Sequence, residues 1–398
     1  MSDVAERLEE LRDRGLYRRL RLVGGPQGPR VLLDGRPVLL LCSNNYLGLA
    51  DHPRVCGAAA EAAMRWGAGA GASRLICGNM QPHRSLELRL AEFKGFEAAL
   101  LFGSGYLANT GTIAALAGRG EVVFSDELNH ASIVDGCRLS RAETFVYRHG
   151  DVEHLAWGLS QAQGRAALIV TDGVFSMDGD LAPLEQLVAL SRRHECRLMV
   201  DEAHATGAIG KGGRGSVAAA GLSEEVDVVV GTLGKALGSY GAYVCASSEL
   251  IEYLVNTARP FIFSTAPPPP AAAAALAGLE LLESHPHRVE RLQSNAAVLR
   301  AALAHEGLDV GKSQTQIVPI AIGEASPTME LSERVLERGV FAQGIRPPTV
   351  PEGSSRLRFT VMATHRSGEL RRAAKLVGAA AREIGLAAKP SKPMALAA

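Results

Sequence analysis

Six short apolar runs, each closing on a polar residue or glycine, recur through the middle of the chain: AALLFGSGY (98–106), GEVVFSD (120–126), AALIVTDGVFS (166–176), RLMVDEAH (197–204), DVVVGTLGK (227–235) and GAYVCAS (241–247). Continuous apolar strands of this kind must be buried on both faces, as in a sheet covered by helices. Helical stretches such as LAPLEQLVALSRRHE (181–195) lie between them. Strand–helix alternation of this sort predicts an α/β domain with a mainly parallel sheet, whose ligands bind near the carboxyl ends of the strands. The polar residues that close the runs are therefore candidates for one shared site.

Past the prolines at 267–270 the pattern changes. An alanine-rich helix (271–283), a long helix within 285–307, the run QIVPIAIG (316–323), a helix near 328–338, the segment GVFAQGIRPPTVPEGSSRLRFTVMATH (339–365) and a last helix to about 385 predict a smaller α+β lobe. The expected organisation is residues 1–50 as an N-terminal helix with short strands, 51–285 as the large domain, 286–385 as the small one, and 386–398 as a disordered tail. The first 21 residues read as one charged helix bearing Leu8, Leu11, Leu16 and Leu20, without the apolar core of a signal peptide. No apolar run approaches the length of a membrane span. The six cysteines include no C-x-x-C pair, which argues against a metal site or redox dithiol and for reduced thiols in the cytoplasm.

The letters DEAH (201–204) also occur in nucleotide hydrolases that unwind nucleic acid. Such a motor needs a G-x-x-x-x-G-K-[ST] phosphate loop upstream. None is present: GTLGKALG (231–238) follows the DEAH and has Ala236 where a hydroxyl should stand. GKGGRG (210–215) fits G-x-G-x-x-G, but no strand runs directly into it, so it reads as a glycine-rich turn. Lysine plus arginine equals aspartate plus glutamate at 42 each, with no basic surplus to meet phosphates. Nucleic acid is thus not an expected partner.

Neighbouring strand ends would instead bring Asp201, His204 and Lys235 into one cleft. A lysine near apolar or cationic groups loses its proton readily and can form a Schiff base with an aldehyde. A carboxylate on a pyridine nitrogen keeps it protonated, so the set suits pyridoxal 5'-phosphate (PLP). Lys235 could equally be a solvated loop lysine. FGSGYLAN puts backbone N–H groups at a strand-to-helix turn able to hold a phosphate. His130 could stack on an aromatic ring or merely cap a helix, and Ser176 could bond a ring oxygen or cap the next helix.

Taken together, SNNYLGL (43–49), FGSGYLANTG (102–111), DELNHASIVDG (126–136), TDGVFSMDGD (171–180), VDEAHATG (200–207) and GTLGKALG (231–238) resemble the α-oxoamine synthases of PLP fold type I, in that family's order. The resemblance covers roughly residues 1 to 385. It implies the PLP-dependent transferase fold, with a large mainly parallel-sheet domain and a smaller C-terminal α+β domain. It implies that Lys235 forms the Schiff base and shuttles the substrate's Cα proton. Asp201 would pair with the pyridinium nitrogen, His204 and Ser176 would bond the phenolic oxygen, and His130 would stack on the ring. Backbone at Gly105 and Tyr106, with Thr232, would hold the phosphate, joined by Ser264 and Thr265 across a homodimer interface. Asn44 and Arg358 would hold the amino-acid carboxylate, since a planar guanidinium binds a carboxylate bidentately. Arg356, two residues away on the same strand face, remains its rival.

Within the family, GIRPPTVPEGSSRLRFTVMATH (344–365) points to a member that condenses L-alanine with a pimeloyl thioester, on coenzyme A or acyl carrier protein. Arg18 would then meet the far carboxylate of the pimeloyl chain, or else belong to a solvated helix face. Glu202 and Ala203 read as spacers. Ala266 stands where relatives often have serine, and Gly234 where many have serine. The alternatives are a glycine-using synthase, a long-chain acyl synthase, a PLP aminotransferase, or a fold-type I domain serving as a binding module.

Overall fold

A computed structural model describes residues 3–387, so the expected tail from 388 on lies outside the described residues. The chain divides into two compact units, one made of Leu47–Ser176 and Asp180–Val289, the other of residues up to Tyr46, Met177–Gly179 and the residues from Glu290 on.

The first unit is built on a seven-stranded sheet: β1 (Ala98–Phe102), β2 (Val122–Asp126), β3 (Glu143–Tyr147), β4 (Ala166–Asp172), β5 (Arg197–Asp201), β6 (Val228–Thr232) and β7 (Ala242–Ala246), in the order β1-β7-β6-β5-β4-β2-β3. Strands β3, β2, β4, β5 and β6 pair in parallel, while β7 runs antiparallel to both β6 and β1. Six strands coincide with the apolar runs. Every residue of β2 and of β7 is buried, which is why those runs lack alternation. The seventh, β3, is an edge strand with only Tyr147 fully buried, so its sequence ETFVY carries no continuous apolar signal.

Helices α1 (Gln81–Lys94), α2 (Gly105–Leu116) and α3 (Ala131–Ser140) follow or precede the strands and supply buried side chains to the site. Leu100, Ile113, Ile133, Val170, Met199, Val230 and Val244 belong to one buried cluster that spans the sheet, α2 and α3. Burying side chains of this size contributes about 1.5–3 kcal/mol each, before entropy is subtracted. At the β6–β7 pair, Gly231 faces Tyr243, and a Cβ on Gly231 would fall 2.3 Å from the tyrosine ring and hydroxyl. Only glycine leaves that ring its place.

In the second unit, β8 (Ile317–Gly323), β9 (Gln343–Ile345) and β10 (Ser355–Thr360) form an antiparallel sheet in the order β8-β10-β9. The helices Ala325–Glu337 and Ser367–Glu383 belong to the same unit. A separate four-stranded sheet joins Val23–Gly24, Arg30–Leu33 and Arg36–Leu40 to Val340–Phe341. The N-terminal helix spans only Val4–Asp13, shorter than the sequence reading, because Gly15 adopts a φ of +65° and turns the chain. Beyond that turn Leu20 is fully exposed rather than part of a helical stripe.

Gly231→Ala should lower stability by roughly 1–3 kcal/mol through overpacking against Tyr243, read by chemical denaturation.

Candidate active site

The residues closing β2, β4, β5 and β6 place acidic and polar groups along one edge of the sheet. Asp201 ends β5 and is 4% exposed. One of its oxygens accepts the Ala203 N–H at 2.8 Å and the other accepts an amide proton of Asn109 at 2.6 Å. Three residues on, the buried His204 places Nε2 3.0 Å from Nζ of Lys235, which follows β6. Carboxylate, imidazole and amine are thus brought together within one unit, as the sequence led one to expect. Thr232 closes β6, its hydroxyl donating to the Gly241 carbonyl at 3.1 Å and accepting the Gly234 N–H at 3.2 Å.

His130 is the N-cap of α3, its Nδ1 accepting the Ser132 N–H at 3.3 Å. Its own backbone N–H donates to Asp172, at the end of β4, at 2.8 Å. Desolvation of the imidazole, countered by Asp201 and reinforced by Lys235, holds His130 below its ordinary pKa. Asp172 lies beside Asp201 in the β4–β5 register. Burial, with the Asp201 charge added, pushes its carboxyl well above the usual range.

Helix α2 begins at Gly105 under a Ser104 cap, whose hydroxyl accepts the Leu107 N–H at 3.2 Å. The exposed backbone donors of such a helix start suit a phosphate, and a Cβ at Gly105 would meet nothing within 4 Å. The Tyr106 side chain turns outward and hydrogen-bonds Asp135. Ser176 is buried in the turn after β4, where Phe175 and Asp180 close a backbone hydrogen bond of 3.1 Å. Ser264 and Thr265 lie beside the 72–73 segment: Thr265 bridges Ser73, and the Ala266 N–H donates to the Ala72 carbonyl at 3.0 Å.

Two features escaped the sequence reading. Glu202 is no spacer. It is completely buried and forms an ion pair with Lys94, the last residue of α1, whose side chain is 1% exposed. Glu202 also accepts the Ser216 hydroxyl at 2.8 Å and the Val217 N–H at 2.7 Å, while Lys94 donates to the Arg214 carbonyl. Gly215 packs so tightly here that a Cβ would lie 2.1 Å from the Glu202 carboxylate. The 201–204 turn is therefore anchored from beneath by its second residue. The GKGGRG loop meets that anchor through the Arg214 carbonyl and the close approach of Gly215.

The second is His149, whose ring bridges Asp126 at 3.0 Å and Asp180 at 2.8 Å and meets the Phe175 ring edge-on. Burial opposes its charge, but the two carboxylates more than offset that, and its pKa is raised to about 10. Charged His149 ties the end of β2 to the turn that carries Ser176.

The second unit holds its own cluster. Thr360 donates its N–H to Leu41 and Ala363 to Tyr46, each at 2.7 Å, which lays residues 41–46 along the end of β10. The fully buried Tyr46 donates its hydroxyl to the Asn44 side chain at 3.1 Å, and that hydroxyl also meets Arg358 and Gln316. Asn44 and Arg358 are thus grouped. Arg356 is committed elsewhere, to an ion pair with Asp178 and to the Ser354 carbonyl. Exposed Arg18 donates to the Pro347 carbonyl at 3.2 Å, and Arg346 donates to the Tyr17 carbonyl at 2.7 Å.

Comparison with known proteins agrees with this architecture. The family model "Aminotransferase class I and II" matches residues 36–377. A serine palmitoyltransferase from S. paucimobilis, solved with a PLP–myriocin aldimine, superposes with a TM-score of 0.92 at 33% identity, covering 96% of this chain and 98% of that one. The chain belongs to the aminotransferase class I and II family and, within it, to the PLP-dependent α-oxoamine synthases of fold type I. It is similar to the 8-amino-7-oxononanoate synthase of Geobacter sulfurreducens, at 56% identity over 96% of this chain and 99% of the relative. The synthase of that name from Symbiobacterium thermophilum is 50% identical over 96% and 98% of the two chains. A crystal structure of the Francisella tularensis synthase matches with a TM-score of 0.76 at 28% identity, covering 87% of this chain and 98% of that one.

Two outcomes follow. Glu202→Ala should cost about 3–5 kcal/mol of stability by stranding a buried ammonium, whereas Lys94→Met combined with Glu202→Leu should cost less, both read by denaturant unfolding. The stability that His149 adds over His149→Gln should be full below its ordinary pKa of 6.5, shrink as pH rises above it, and vanish once pH passes about 10. The sign follows because a raised pKa means the folded state binds the extra proton. Equal differences at pH 7 and above 10 would contradict it.

Proposed function

We propose that this protein is an enzyme that condenses L-alanine with a pimeloyl thioester, with loss of carbon dioxide, to give 8-amino-7-oxononanoate in biotin biosynthesis. The observation that carries the reading is the near full-length identity above 50% to synthases of that name, in a chain that keeps Lys235, His204 and Asp201 together at adjoining strand ends. The donor set fits PLP: an amine able to bond an aldehyde, a nearly buried carboxylate for a pyridinium, an imidazole at a helix cap and a helix start for a phosphate. When bound, PLP supplies an aldehyde for the substrate's amine and an electron sink for charge developing at Cα.

Lys235, beside His204, moves the Cα proton as general base and acid. Asp201, held by the Asn109 amide and the Ala203 N–H, would meet the pyridine nitrogen and favour its protonated form. His130 would offer a flat face to the ring, His204 and Ser176 would bond the phenolic oxygen, and Thr232 with the Gly105–Tyr106 backbone would hold the phosphate. Arg358 and Asn44 receive the amino-acid carboxylate, a reading supported by the commitment of Arg356 to Asp178. Arg18 takes the far carboxylate of the acyl chain. The working form is a cytoplasmic homodimer in which Ser264 and Thr265 reach the partner's phosphate. Acyl carrier protein is one possible acyl carrier and coenzyme A the other. No helix among the described residues is long and apolar enough to cross a membrane.

The test is product mass after incubation with PLP, alanine or glycine, and a panel of acyl thioesters. Alanine with pimeloyl thioester should turn over, Lys235→Ala should abolish both turnover and the visible cofactor band, and Arg18→Ala should raise KM for pimeloyl thioester while sparing monoacyl thioesters. Turnover with glycine and acetyl thioester instead would overturn the reading.

A further inference from the structure

Between Asp201 and His130 runs an unbroken chain of hydrogen bonds through the side chains of Asn109 and Ser132. Asn109, on α2, is 1% exposed. One of its amide protons goes to Asp201 at 2.6 Å and the other to the Ser132 hydroxyl at 2.8 Å. Ser132 is completely buried and lies 2.7 Å from Nδ1 of His130. Among the described residues the Asn109 carbonyl oxygen has no partner, so the amide is held only by its donors. Turning it over would set that oxygen against an Asp201 oxygen, which fixes its orientation.

The direction of every proton then follows. Asn109 occupies a lone pair of the Ser132 oxygen, leaving the Ser132 proton to point at His130. Nδ1 of His130 already accepts the Ser132 backbone N–H at 3.3 Å, so it carries a lone pair and the ring proton sits on Nε2. The imidazole is neutral, in keeping with its lowered basicity.

We propose that Asn109 and Ser132 are positioning residues that tie the Asp201 carboxylate to the His130 ring and fix that ring as its neutral Nε2–H tautomer. The inference rests on the PLP reading of the site. Asp201 and His130 would otherwise be set independently, from β5 and from the cap of α3. With the chain in place, the group that meets the pyridine nitrogen and the ring that meets its face move as one.

A thermodynamic cycle on cofactor affinity separates this from simple structural support. Ser132→Ala should weaken PLP binding by roughly three- to tenfold. In a His130→Phe background, which keeps a flat face but no acceptor nitrogen, the same change should matter by less than about twofold. Asn109→Ala should weaken binding by about tenfold or more, because it also deprives a carboxylate. Nitrogen NMR of the His130 ring in the loaded protein should show the Nε2–H form, shifting toward a tautomer mixture in Ser132→Ala. Melting curves of each variant confirm that folding is intact. An Nδ1–H ring in the wild type, no loss with Ser132→Ala, or equal losses in both backgrounds would overturn the inference. Absence of any Lys235-dependent visible band in the wild type would overturn the PLP reading and this inference with it. A normal band with an additive cycle sinks the inference alone.

Discussion

An ion pair from which water is excluded is a costly thing to build. Lys94 and Glu202 are 1% and 0% exposed at their side chains, and their attraction offsets desolvation only because further hydrogen bonds complete both groups. What the pair does is mechanical. Glu202 is completely buried in the turn after β5, and Asp201 and His204 lie on either side of it. Its backbone N–H also reaches across to the Val230 carbonyl of β6 at 2.7 Å, which carries the constraint to the strand that leads to Lys235. The anchor thus sets two adjoining strand ends at once.

Above that anchor the charges at the strand ends differ in kind. Asp126, Asp172 and Asp201 close β2, β4 and β5, and three ionised carboxylates so near each other in a dry place would repel strongly. Each is handled by its own neighbours. Asp126 faces the imidazolium of His149 and accepts the Gly150 and Leu128 N–H groups. Burial disfavours a charge on Asp172 and raises its pKa. Asp201 is met by Asn109 and the Ala203 N–H.

Much of this was legible in the residues. Six of seven strands in the large sheet announced themselves because burial on both faces leaves no polar alternation to confuse the pattern. Lys235, His204 and Asp201 were legible because strand ends in an α/β sheet converge. The edge strand Glu143–Tyr147 was not, since one side of it is solvated and its composition is mixed. Asn109 and Ser132 were hidden for another reason. Each lies inside or at the start of a helix, where Asn and Ser usually read as solvent-facing or capping residues, and only the docking of α2 beside α3 turns them toward each other. Glu202 was misread because a charged residue is expected outside. The expected N-terminal helix failed at Gly15, where a left-handed residue outweighed the leucine spacing.

The second unit shows how the partners of a strand's residues bear on a choice that spacing leaves open. Arg356 and Arg358 stand two residues apart on β10 and so present to the same face. Both are long enough to grip a carboxylate, and nothing in RLRF separates them. Their partners do. Arg356 is already neutralised by Asp178, and removing it from that aspartate would strand a carboxylate. Arg358 lies instead with Tyr46 and Cys42, neutral groups whose burial makes ionisation harder still: the Cys42 thiol is pushed up to about 12 despite the nearby guanidinium. A guanidinium already paired with its own aspartate has less of its field left for an incoming anion.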